Sequence, residues 1–171
     1  MNSVERVKRA LRFQRPDHPP LLHGFAGGVI VRQHDWVAEM YRRYPEDFGA
    51  GDDAVPPFRD PNAYRLGAEI VDMWGVRKRV ALDATQPMVV HNPIEDLGRL
   101  KDYRPPEVKP DAFDALRRQI AASSHRRYVF TGVPELFTTM TNLHGEINLY
   151  SALAEDPESV RPLADMVFEV C

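Results

Sequence analysis

The stretch Ala68-Glu69-Ile70-Val71-Asp72-Met73-Trp74-Gly75 decides how the rest of the chain is read. A short apolar run, Ala68 to Val71, leads straight into an acid, a tryptophan and a glycine, the pattern of a core strand that ends in a turn. Such a strand carries a carboxylate, Asp72, at its carboxyl end. Upstream, Leu21-Leu22-His23-Gly24-Phe25 follows the non-helical Arg15-Pro16-Asp17-His18-Pro19-Pro20 and reads as a first short buried strand. Downstream, Tyr128-Val129-Phe130-Thr131, closed by Gly132 and Pro134, reads as a third. Helical stretches lie around them. Val4, Val7 and Leu11 recur behind a Ser3 cap and give a lead-in helix, and a helix from about Asp35 carries Val37, Met40, Tyr41 and Tyr44 on one stripe before Pro45. Asn92-Pro93 with Glu95 and Asp96 opens a short helix through Leu97 and Leu100, and Phe113, Leu116 and Ile120 mark another from Asp111 to Ala122. Beyond Pro134, Leu136, Phe137, Met140 and Leu143 form one stripe. After a break at Gly145, Ile147, Leu149, Tyr150 and Leu153 form a second, and Asp156-Pro157-Glu158 restarts a helix with Val160, Leu163, Ala164 and Val167 in phase. Residues 46–62 read as loop, and 77–90, which alternate weakly, as a hairpin outside the main layer. Strands and helices alternating at these spacings predict an α/β fold with a parallel sheet and right-handed crossovers.

Composition bounds what such a fold can do. With 171 residues, 43% apolar and 27% charged, the chain is long enough for one domain with a real core. Lys and Arg number 22 against 25 Asp and Glu, a net charge of -3 with no basic block, so nucleic acid is not the expected partner. No apolar run approaches the roughly 20 residues of a membrane span, and no signal peptide is legible, so a cytoplasmic protein without a membrane partner is expected. The one cysteine, Cys171, allows no internal disulfide and no cysteine-based zinc cluster. It reads as an inert, core-facing residue, and no metal site is expected.

Several residues have both a chemical and a packing reading. His23, at the end of its strand, can bind substrate or be a buried, hydrogen-bonded histidine. Gly24-Phe25-Ala26-Gly27-Gly28 can form a nest of N–H groups for an anion, with a permissive βα turn the simpler reading. Trp74 can stack on a flat ligand or form the core wall beside the site, and the wall is favoured. His144-Gly145-Glu146 invites a metal, but at i, i+2 across a helix break the two side chains do not share a face, so capping and solvent are expected. Asp72 by itself is an ordinary turn aspartate capping backbone amides.

Taken in order, these segments resemble a known family. Val4-Glu5-Arg6-Val7-Lys8-Arg9-Ala10-Leu11 with Arg15-Pro16-Asp17-His18-Pro19-Pro20 resembles the opening of the uroporphyrinogen decarboxylase superfamily, with His18 where an arginine is usual. Ala68 to Gly75 resembles its second-strand motif in an Asp-x-Trp-Gly form common among decarboxylase-like members. His91-Asn92-Pro93-Ile94-Glu95-Asp96-Leu97, Tyr103-Arg104-Pro105-Pro106, Tyr128 to Phe137, Leu143-His144-Gly145 and Asp156-Pro157-Glu158 complete the likeness. The resemblance implies a partial (β/α)₈ barrel, with a lead-in helix and roughly the first three barrel strands, as one incomplete domain over 1–171; complete barrels of this type take about 250 residues.

For function, the resemblance implies a carboxy-lyase that removes acetate carboxylates from a tetrapyrrole in porphyrin biosynthesis without a cofactor. Asp72 would be the catalytic group, holding pyrrole N–H groups and a developing cation. His23, Gly24, Phe25, Arg32 and Trp74 would contact substrate. Arg32-Gln33 is a remnant of the family's arginine loop, whose second arginine is absent, and a family tyrosine falls at about Met140 or Thr141. The superfamily's corrinoid-dependent methyltransferases, with zinc, are the alternative; a truncated, inactive chain that forms a homodimer over its open strand edges is another.

Overall fold

The computed structural model describes residues 1–49, 59–109, 111–122, 126–130, 132 and 135–170. The loop reading over 50–58, the strand end at Thr131, Pro134 and Cys171 lie outside them. The chain groups into two compact units, 1–61 with 110–131 and 62–109 with 132–171.

In the first unit, helix α1 spans Ser3–Leu11 and its cap is Asn2 rather than Ser3: the Asn2 carboxamide oxygen accepts the Glu5 N–H at 2.8 Å. Val7 and Arg6 are buried on its inner face. The helix closes in a Schellman motif, with Gln14 N–H donating to Arg9 O and Phe13 N–H to Ala10 O, and Phe13 takes a left-handed φ of 56°. Helices α2 (Gly27–Arg32) and α3 (His34–Arg43) pack Ile30, Val37 and Tyr41 into a small core that Phe25 covers. The sequence reading placed α3 within a residue and passed over α2, whose two leading glycines are poor helix formers.

Leu21 to Phe25 joins no strand ladder among the described residues. The Leu21 N–H donates to Asp47 Oδ2 at 2.9 Å and the His23 N–H to Glu46 Oε1 at 2.7 Å, so side-chain carboxylates occupy the donors that a sheet would use. The reverse bond, Asp47 N–H to Leu21 O at 2.9 Å, ties the segment to 46–49. There Phe48 forms a parallel bridge with Tyr128, inside a region read as loop. Arg6 holds this corner together. Its guanidinium grips Asp17 in a fork at 2.7 and 3.0 Å and also meets Asp47, which is only 2% exposed.

In the second unit, β1 (Glu69–Val71), β2 (Arg77–Arg79) and β3 (Met88–His91) form an antiparallel meander in the order β1-β2-β3. The strand expected at 68–71 and the hairpin expected over 77–90 are both present. They pair with each other, because Gly75, at φ 75°, turns the chain straight back with Ile70 opposite Lys78. Parallel pairing, expected between core strands, is represented among the described residues by the Phe48–Tyr128 bridge. A 3₁₀ turn, Leu97–Asp102, replaces the short helix read from Asn92: its cap is Asp96, which accepts the Gly98 N–H at 2.8 Å.

Helices α5 (Leu136–His144), α6 (Glu146–Glu155) and α7 (Pro157–Val170) complete the second unit; α4 (Asp114–Ala122) belongs to the first. Met140, Leu143, Leu149, Val160, Leu163 and Val167 recur at helical spacing and meet Trp74, Val76 and Ile94 from the meander side to form the larger core. His144 is buried in this unit, its Nδ1 2.7 Å from Ile94 O, which overturns the solvent-facing reading. No described helix is long and apolar enough to cross a membrane.

Candidate functional site

The tightest convergence of polar groups around a predicted site residue is the β1–β2 turn. Asp72 Oδ1 accepts two backbone N–H groups, Trp74 at 3.0 Å and Val76 at 3.1 Å. Asp72 O accepts the Gly75 N–H at 2.9 Å, and its own N–H donates to Val76 O. This is a turn aspartate in an Asx arrangement, and the turn fixes the direction of the carboxylate. Oδ2 is left to face Lys78 Nζ at 2.9 Å. Lys78 reaches it because it stands between the buried Val76 and Val80 in the two-residue period of β2, on their face of the strand. Both side chains are 27% exposed, so a ligand can touch them, and an ion pair so accessible is worth only about 0–1 kcal/mol.

The pair opens on a cavity of about 400 Å³ lined by Asp72, Trp74, Lys78, Glu135, Thr138 and Asn142, among others. That volume is near the lower end of small-ligand sites, about 300–1,000 Å³. Two carboxylates and one ammonium give its rim an excess negative charge. Trp74 forms the wall, its ring buried in the core as the packing reading had it. Behind the wall the Tyr103 hydroxyl donates to Trp74 O at 2.7 Å. Burial, and then the charge on Asp72, push the Tyr103 phenol up to about 12.

The remaining predicted residues belong to the first unit. His23 stacks on Phe25 at 5.5 Å and lies 4.7 Å from the Tyr41 ring, with Nε2 2.7 Å from Tyr44 O. It is a half-buried, hydrogen-bonded histidine in an aromatic cluster, with Phe25 as the cluster's link to the core. A side chain at Gly24 would meet open space, so packing does not demand glycine there. Arg32 is exposed at the end of α2. Sequence reading missed Lys78, Glu135, Thr138 and Asn142. Only Lys78 carried a signal, its in-phase position between two valines. Among the described residues no group of three or more His, Cys, Asp or Glu side chains is placed to hold a metal ion. No protein-family model, no curated protein and no solved structure matches the chain, so the reading of this site rests on its own geometry.

Proposed function

We propose that the chain is the N-terminal part of a barrel of the uroporphyrinogen decarboxylase type, and that the Asp72 cavity is where a cofactor-free carboxy-lyase meets its substrate. The observation that carries the reading is the Asp72 carboxylate, clamped by two backbone N–H groups so that Oδ2 faces an open, net-negative cavity beside a tryptophan wall. Such a rim favours N–H donors and positive charge over carboxylates. A pyrrole ring then enters by its N–H edge, with its acid side chains left towards solvent.

In the chemistry that follows, a ring carbon takes a proton and the ring becomes cationic. Oδ2 holds the N–H and stabilises that charge where it develops. The bond between the acetate methylene and its carboxylate breaks, its electron pair neutralises the ring, and CO₂ leaves. The exocyclic methylene takes a proton to become methyl, and the ring carbon returns the first one. One proton is consumed for each CO₂ released, with no redox step. Lys78, 2.9 Å from Asp72, is the acid within reach.

The test is titration of the chain with uroporphyrinogen III under anaerobic conditions, read by quenching of tryptophan fluorescence. Saturable quenching is expected, weakened at least about tenfold in Asp72→Asn, a loss of about 1.4 kcal/mol. Asparagine keeps an oxygen for the two backbone N–H groups, so the turn survives. Absence of saturation, or equal affinity in the variant, would overturn the reading.

A further inference from the structure

The cap of α1 carries a feature that packing does not explain. Phe13 occupies the position after the helix that glycine usually fills, at φ 56°, with its ring 99% exposed. A bulky side chain in the left-handed region is strained, and a ring wholly in water returns nothing for that strain. Leu11, on the last turn, is 64% exposed beside it.

Positive charge predominates around the tip. Lys8, Arg12 and Arg15 are exposed and have no acidic partner among the described residues; Arg9 is paired with Glu5 at 2.7 Å. A recess of about 560 Å³ next to the cap is lined by Lys8, Arg9 and Arg12 against the single carboxylate of Glu5. The far side of α1 is anchored through Val7 and through Arg6 with its two aspartates, so the tip is held rigidly.

We infer that this tip docks the protein on an anionic lipid surface. Lipid phosphates and carboxylates meet Lys8, Arg12 and Arg15, while Phe13 and Leu11 enter the boundary between headgroups and acyl chains. The occupant follows from exposure as well as charge. The Phe13 ring is 99% exposed, so a protein partner would have to bring a pocket fitted to it, whereas a bilayer interface accepts it without one. With two apolar side chains and three cations, the attachment is weak, reversible and screened by salt. It is peripheral attachment; no described helix is long and apolar enough to cross a membrane.

Co-sedimentation of the chain with vesicles tests this, comparing equal parts phosphatidylserine and phosphatidylcholine with phosphatidylcholine alone. Sedimentation is expected with the anionic vesicles only, falling as salt rises. Phe13→Gly suits the left-handed backbone, so it should melt no lower than the parent, yet it should bind at least about tenfold more weakly, as for the loss of one inserted aromatic ring. The pair Lys8→Gln and Arg12→Gln should flatten the dependence on phosphatidylserine content. Equal binding to both vesicle types, or unchanged binding by Phe13→Gly, would overturn the proposal. So would release by inorganic phosphate far more readily than by sodium chloride of equal ionic strength, or binding to polyglutamate without binding to vesicles.

Discussion

The residue that does most for the first unit is Arg6. Its fork on Asp17 and its contact with Asp47 set three charges into one corner, and Asp47 also accepts the Leu21 N–H. The hydrogen bond with Asp17 first, and then Asp47, raise the guanidinium above its ordinary value against the pull of burial. Arg6 in turn holds the Asp17 carboxyl well below the usual carboxylate range. Burial pushes Asp47 up, but bonds from Ser3, the Leu21 N–H and Arg6 outweigh it and leave its carboxyl lowered as well. Removing one member strands a buried charge. Arg6→Met should therefore destabilise the chain by about 3–5 kcal/mol in urea unfolding, well beyond the loss for an exposed pair such as Arg42–Glu39. Both carboxyls bind protons less readily folded than unfolded. Their contribution is complete above the ordinary aspartate value of about 4 and is lost as pH falls below it. Urea midpoints should drop as pH falls from about 5 to about 3, and the combined variant Asp17→Asn, Asp47→Asn should show a shallower drop. An equally steep drop would remove these two groups from the account.

At the scale of elements, the β1–β2 turn and the Tyr103 hydroxyl behind it form one fitted piece. The Tyr103 phenol is neutral in the fold and its value is raised to about 12 from 10, so the folded chain holds this proton more tightly than the unfolded one. The stability it confers is present below about pH 10 and is lost as pH rises through about 12. Tyr103→Phe should cost about 1 kcal/mol at neutral pH, through the bond to Trp74 O, and should lessen the alkaline loss of stability, followed by circular dichroism. What the sequence disclosed about such elements follows their range of interaction. The helices were legible wherever one face repeats locally, as with Val160, Leu163 and Val167. The Asp72 turn was legible because an aspartate three residues before a glycine is a local signal. Leu21 to Phe25 misled because its donors go to Glu46 and Asp47, more than 20 residues away, which no local pattern announces. Lys78 became a site residue only through the hairpin's register, and Glu135, Thr138 and Asn142 only through the tertiary placement of α5 against that hairpin.

For the molecule as a whole, the two units rest on different physics. Among the described residues, the second has a core cluster of nine buried apolar side chains, Trp74 to Val167, whereas the first has the cluster of Ile30, Val37 and Tyr41 with Val7 buried apart from it, and leans on the Arg6 network. Leu163→Ala should cost about 2–5 kcal/mol in urea unfolding. Amide exchange should be slowest in α5 and α7 and faster in α2 and α3; the reverse order would sink this division. The grouping of residues also crosses itself along the chain. Each unit is made of two stretches, with 62–109 lying between the halves of the first and 110–131 between the halves of the second. The bridge from Phe48 to Tyr128 closes a loop of roughly eighty residues, so its closure entropy must be met before that contact contributes anything. On the ribosome, then, the N-terminal stretch waits with its corner unfinished until Tyr128 has emerged. No single cut in the backbone can release the two units as separate intact chains.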